Sequence, residues 1–81
     1  MVKLYAFVWV TPRGHILDGE DLVLAAESEE NAKARAAVAA ESYGLELRYI
    51  GVQERLARGR YRLVPAVPVA ELPPYWREQC A

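Results

Sequence analysis

The chain has 81 residues, is 53% hydrophobic and 26% charged, and carries a formal net charge of −1. This balance is that of one globular domain and excludes a disordered or low-complexity chain. A nearly neutral charge gives no general attraction to nucleic acid or to an anionic membrane. No apolar run approaches the roughly 18 residues that are needed to span a bilayer.

The only cysteine in the sequence, Cys80, cannot form an internal disulfide. The fold therefore does not depend on an oxidising compartment, and we expect a cytoplasmic protein. The N-terminal apolar run is short and aromatic and lacks a small-residue cleavage site, so we do not expect it to be a signal peptide. The preference for arginine over lysine is compatible with a thermophilic source.

The first predicted strand covers residues 2–10 and is apolar on both faces. One face is aliphatic, and the other carries Tyr5, Phe7 and Trp9, which we call the aromatic ladder. A strand with one face in water alternates apolar with polar residues instead. We therefore expect this strand at the centre of a sheet that is covered on both faces.

A second strand is predicted at residues 22–26, antiparallel to the first. Pro12, Gly14 and Gly19 indicate turns between the two strands. The connection is long for a hairpin unless residues 15–17 extend one of the strands.

The clearest predicted element is a helix at residues 29–43. Ser28 suits the N-cap, two glutamates follow it at the positive end of the helix dipole, and Gly44 suits the C-terminal stop. The stripe predicted to face the sheet consists of Ala32, Ala36, Ala39, Ala40 and Tyr43. Ala34, Ala37 and Val38 widen the apolar surface beyond what one sheet contact needs.

Two further strands are predicted at residues 45–52 and 60–64, with a turn near residues 57–59. In the first of them, alternation places Leu45, Leu47 and Tyr49 on one side and Ile50 and Val52 on the other.

The expected fold is a single α+β domain of β-β-α-β-β order, in which residues 1–64 form a mostly antiparallel sheet with one helix on one face. Residues 65–81 form a proline-rich tail, because four prolines exclude a central strand or an inner helix. We expect this tail to lie extended over the core with Tyr75 and Trp76 as anchors.

One helix, about 10 Å across, covers only half of one face of a four-stranded sheet about 19 Å wide. Three partners could cover the aromatic ladder: the tail, a second copy of the chain, or the bases of a nucleic acid. A chain of 9.1 kDa buries only about 63% of its surface as a monomer, which favours a homodimer. The residues predicted at a dimer or partner interface are Tyr5, Phe7, Trp9, Ala34, Ala37, Val38, Tyr75 and Trp76.

A basic stretch at residues 55–62 suggests an alternative function. Guanidinium groups at close spacing suit phosphate oxygens, so this hairpin could bind nucleic acid. The alternative is a solvated turn beside an edge strand whose charges discourage aggregation. The residues predicted to contact phosphate are Arg48, Arg55, Arg58, Arg60 and Arg62.

The loop with His15, Asp18, Glu20 and Asp21 has the groups of a metal site. Its spacing matches no zinc or calcium pattern, so we predict an acidic surface loop and no bound metal. We also predict no catalytic residue and no cofactor, because no phosphate-binding glycine loop or activated nucleophile is recognisable.

In outline, two strands followed by a helix that opens with the sequence SEENA resemble the antitoxin domains of the HicB type. The resemblance covers about residues 3–43 and lacks the Pro- and Cys-containing segment usual there, so we assign no family. The sequence predicts a small non-enzymatic protein-interaction or regulatory module that forms a homodimer. A nucleic-acid-binding regulator is the second hypothesis, and a metal-dependent enzyme built on His15 is the third.

Overall fold

The structure, a computed structural model, describes residues 1–80, and of Asp18 only the backbone. Four antiparallel strands form one sheet in the order β2-β1-β3-β4. The strands are β1 (Lys3–Val10), β2 (Ile16–Ala26), β3 (Glu46–Arg55) and β4 (Tyr61–Pro65), and the helices are α1 (Glu29–Tyr43) and α2 (Pro74–Glu78). The predicted α+β fold with its β-β-α-β-β order is confirmed, and β1 is a central strand as expected.

Strand β2 is much longer than the predicted 22–26, because residues 16–21 of the predicted connection also belong to it. Its pairing with β1 is regular from Ala26 back to Asp21, which lies opposite Val8, and resumes at Ile16, which lies opposite Val10. The four residues between them bulge opposite the single residue Trp9. Gly19 permits this bulge because its φ is +82°, which residues with a side chain rarely adopt.

Helix α1 has the predicted bounds and caps. The Ser28 side chain accepts a hydrogen bond from the N–H of Asn31 (3.1 Å), and Gly44 ends the helix in the left-handed conformation. Ala32, Ala36 and Ala40 are buried against the sheet, as their spacing predicted.

The helix itself covers most of the aromatic ladder. Tyr5 and Phe7 are buried with Ala32 and Ala36 of α1 in one core cluster. The small alanine side chains let the helix approach the two rings closely. Tyr5 and Phe7 therefore need neither the tail, nor a second copy of the chain, nor a nucleic acid to cover them.

The tail covers the opposite, aliphatic face of the sheet. Leu72 and Trp76 from the tail form a second core cluster with Ala6, Val8 and Ile50. The tail is also less extended than predicted, since it contains a 3₁₀ turn at Val69–Glu71 and the short helix α2. Pro74 occupies the first turn of α2, where a missing N–H costs nothing.

A second bulge, in β3, changes which residues share a face. Ala6 lies opposite Gly51 and Phe7 opposite Tyr49, so Ile50 is the extra residue. Val52 therefore lies on the helix face with Tyr49, and its predicted place beside Ile50 is wrong. Gly51 is required here because its φ is +150° and an added Cβ would overlap the carbonyl oxygen of Val64.

Candidate interaction surfaces

The residues predicted at an interface separate into three groups by their burial. Tyr5, Phe7 and Trp76 are buried within this chain's own core. Trp9 is half-buried, and the other predicted residues lie at the surface: Ala34, Ala37, Val38 and Tyr75. Val38 and Tyr75 expose 67% and 55% of their area, so they are open to a partner.

Trp9 lies beside Tyr43 at the C-terminal end of α1. Their rings meet edge to face with centroids 5.5 Å apart, and with Glu20 and Leu45 they line a hollow of about 300 Å³. Tyr43 is 73% exposed, so it covers Trp9 from above rather than facing the sheet as its spacing predicted.

A second hollow lies between α1 and β3 and is bordered by Ala37, Lys33 and Tyr49. Lys33 Nζ lies 2.7 Å from a Glu29 carboxylate oxygen and 4.9 Å from the centroid of the Tyr49 ring. The hydrogen bond from Lys33 lowers the pKa of Glu29. Burial, and then the negative charge of Glu29, raise the pKa of Tyr49 to about 12. The site is thus a small cation–π contact at the protein surface.

A third hollow, larger than these two, was not predicted. It has a volume of about 630 Å³ and lies at the ends of β1, β3 and β4, where Val2, Leu4 and Val64 form apolar walls and Lys3 and Arg55 form part of the rim. Its walls come from three separate strands, so no local motif in the sequence marks it.

The two edges of the sheet are protected unequally. On β4, the N–H of Leu63 donates to the carbonyl of Gln79 in the tail (2.8 Å). Pro65 ends β4 and has no N–H to offer. On β2, Arg35 Nη1 of the helix donates to the carbonyl of Ala25 (2.7 Å).

The predicted phosphate-binding arginines do not form one patch. Arg48 lies opposite Val8 in the middle of the sheet, seven residues or roughly 23 Å along β3 from Arg55. Arg62 pairs with Glu54 (3.3 Å). The structure brings Arg55, Arg58 and Arg60 together at the exposed β3–β4 hairpin. The buried part of the aromatic ladder is not available to stack bases beside them.

His15 closes the turn after β1. Its N–H donates to Thr11 Oγ1 (3.1 Å), and its carbonyl accepts from the N–H of Thr11 (2.8 Å). In the part of the chain that the structure describes, which leaves out the Asp18 side chain, three or more metal-binding side chains do not come together.

Among residues 1–80, no helix has the length and apolarity to cross a membrane. Comparison with known proteins gives no match, whether with family models, curated proteins or solved structures. The function is therefore inferred from the geometry of the protein surface.

Proposed function

We propose that this chain is a non-enzymatic protein-interaction module that acts as a homodimer. The observation that carries the proposal is the surface that the chain leaves exposed. It exposes 5518 Å², whereas a folded monomer of its mass exposes roughly 4,900 Å². The excess of about 600 Å² approaches the roughly 800 Å² that each partner buries in a standard interface.

The distribution of the exposed apolar side chains supports the same proposal. The core is already closed, since α1 covers one face of the sheet and the tail covers the other. Val23, Val38 and Tyr75 nevertheless lie at the surface. Burial of such groups contributes about 25 cal/mol per Å², offset by the entropy lost on association. We also propose that the protein acts in the cytoplasm.

Size-exclusion chromatography with light scattering tests the proposal. We expect a mass of twice the 9.1 kDa of one chain at micromolar concentration, falling on dilution. A mass of 9.1 kDa at every concentration up to the millimolar range would show that the excess surface does not serve self-association.

A second candidate function is nucleic-acid binding by the β3–β4 hairpin. One observation favours it: Arg55, Arg58 and Arg60 are all exposed at that hairpin. Three phosphate contacts predict an affinity for duplex DNA that falls with salt, with a logarithmic slope of about −2.7. Fluorescence anisotropy with single- and double-stranded oligonucleotides at low salt measures this, and the absence of binding there would remove this function.

A further inference from the structure

The hydrogen bonds of the sheet determine which residues of β2 point their backbone groups away from it. Antiparallel pairs alternate between those that exchange hydrogen bonds and those that do not. Leu63 donates to the tail, so its groups point away from Gln53, which lies opposite it. Gln53 therefore bonds to Leu4 of β1. Because the backbone groups of Leu4 point toward β3, Leu4 does not bond to Ala25, which lies opposite it on β2. The N–H and the carbonyl of Ala25 therefore point away from the sheet.

The carbonyl of Ala25 does point outward, because it accepts a hydrogen bond from Arg35 outside the sheet. By the same alternation Val23, two residues earlier, points both its N–H and its carbonyl outward. Val23 is 39% exposed, and residues 22–26 carry no charge. An edge segment with outward backbone groups and no charge at residues 22–26 is a ready template for another strand, and Glu20 and Asp21 lie at the end of the paired segment.

We propose that a second copy of the chain binds this edge, with β2 pairing antiparallel to its own copy about a two-fold axis at Val23. The inference rests on the proposed homodimer and names its contact surface. The product is a continuous eight-stranded sheet. The β4 edge is a poorer partner because the tail already occupies the N–H of Leu63 and Pro65 has none to donate. On β2, Arg35 occupies only the carbonyl of Ala25, which keeps a second lone pair to accept a bond from the other copy.

The two-fold axis makes the edge self-complementary. The N–H and carbonyl of Val23 bond to those of Val23 in the other copy, and Leu22 lies opposite the other copy's Leu24 on the helix face. Both leucines are partly exposed in the single chain, so the pairing covers them further.

The same register also pairs opposite charges. Glu20 lies on the helix face by alternation from Leu22 and Leu24, which pack against the helix-side cluster, and it lines the hollow with Trp9. The axis places it opposite Ala26 of the other copy, next to the Arg35 that bonds Ala25 there. Within one chain Glu20 and the Arg35 site are about five residues, or roughly 17 Å, apart along β2. Such an ion pair therefore forms only between copies.

The helices leave room for this arrangement. Helix α1 contacts β1, β2 and β3, so it lies above β1. Across the axis the two copies of α1 are separated by three strand spacings, or roughly 14 Å. Packed helices lie about 8–10 Å apart, so the two helices do not collide.

Val23→Pro tests the proposal. Proline removes an N–H that β1 does not use, and edge strands tolerate proline where the N–H faces outward. We expect the variant to fold. Its dimer dissociation constant, measured by sedimentation, should rise on the order of 100-fold, because two intermolecular hydrogen bonds are lost. The matched control is Val23→Thr, which keeps the N–H and the branched shape and leaves the dimer intact.

Charge reversal gives an independent test that does not depend on how the proline variant folds. Arg35→Glu and Glu20→Arg should each weaken the dimer roughly three- to tenfold, and the double variant should restore it, because a surface ion pair contributes up to about 1 kcal/mol. Recovery in the double variant requires contact between copies.

The outcomes separate this proposal from the more general one. A monomeric wild type would refute the homodimer and this surface together. A dimeric wild type with an equally dimeric Val23→Pro variant, or with charge reversals that do not compensate, would keep the homodimer and overturn the β2 edge as its contact.

Discussion

Truncation of Trp76 tests the role of the tail as the cover of the second sheet face. The side chain is 2% exposed and lies in the cluster with Ala6, Val8 and Ile50. Burial of a tryptophan removes about 150–250 Å² from water, and Trp→Ala in a core costs about 3–5 kcal/mol. Trp76 Nε1 is buried without a hydrogen-bond partner among the described residues. This unsatisfied N–H already destabilises the wild type, and the Trp76→Ala variant removes it. We therefore expect the variant to lose about 3 kcal/mol of stability, the lower end of this range.

A loss of this size is large for an 81-residue domain, whose whole stability is about 4–12 kcal/mol. At about 4–8 °C per kcal/mol, the Trp76→Ala variant should melt at least about 12 °C lower in thermal unfolding and show a lower midpoint in urea. Trp76→Phe removes the orphaned N–H and keeps most of the apolar area, so it should cost less than about 1.5 kcal/mol. The matched control is Tyr75→Ala, whose side chain is 55% exposed.

The ratio between the two neighbouring variants is the informative result. We expect Tyr75→Ala to cost less than about 1 kcal/mol. If Trp76→Ala is as stable as the wild type, or if the two alanine variants lose equal stability, the tail does not close the sheet in the way described.

Three further predictions concern the fold. Gly51→Ala should cost more than about 2 kcal/mol in urea unfolding, because its Cβ meets the Val64 carbonyl; equal loss in Gly14→Ala, which has a positive φ but open space, would contradict the steric argument. Ser28→Ala removes the N-cap acceptor and should cost about 1 kcal/mol, and restoration of stability in Ser28→Asp is expected. Burial raises the pKa of Tyr49 to about 12 from 10.0, so the folded state keeps a proton that the unfolded chain loses. The free energy of unfolding should therefore be unaffected by Tyr49 below pH 10 and should fall by about 1 kcal/mol, after solvent screening, as the pH rises from 10 to 12. If the Tyr49→Phe variant shows the same dependence of stability on alkaline pH as the wild type, this prediction is wrong.

The local elements could be predicted because their signals are local. Ser28, the alanine-rich body and Gly44 specify α1 without reference to the rest of the chain. The two bulges could not be predicted from alternation, which assumes an unbroken period of two. Gly51 and Gly19 marked both positions, but the sequence does not show which strand residue lies opposite a glycine.

The candidate surfaces were harder to predict than the fold. The sequence showed that both faces of β1 need a cover, and two covers exist in the structure. It did not show that the helix takes the aromatic face and the tail the aliphatic one, because that depends on the handedness and length of the connections. The difference between the β2 and β4 edges depends in part on the hydrogen bond from Leu63 to Gln79, which is a long-range contact that the sequence does not show.

Amide hydrogen exchange of Val23 as a function of protein concentration tests the central claim most directly. In the single chain its N–H points away from the sheet, whereas in the dimer it bonds to the other copy. We expect fast exchange in dilute protein and protection that grows with concentration, while the N–H of Leu63, bonded to Gln79, stays protected throughout. Fast exchange of Val23 at a concentration where the protein is dimeric would contradict the account.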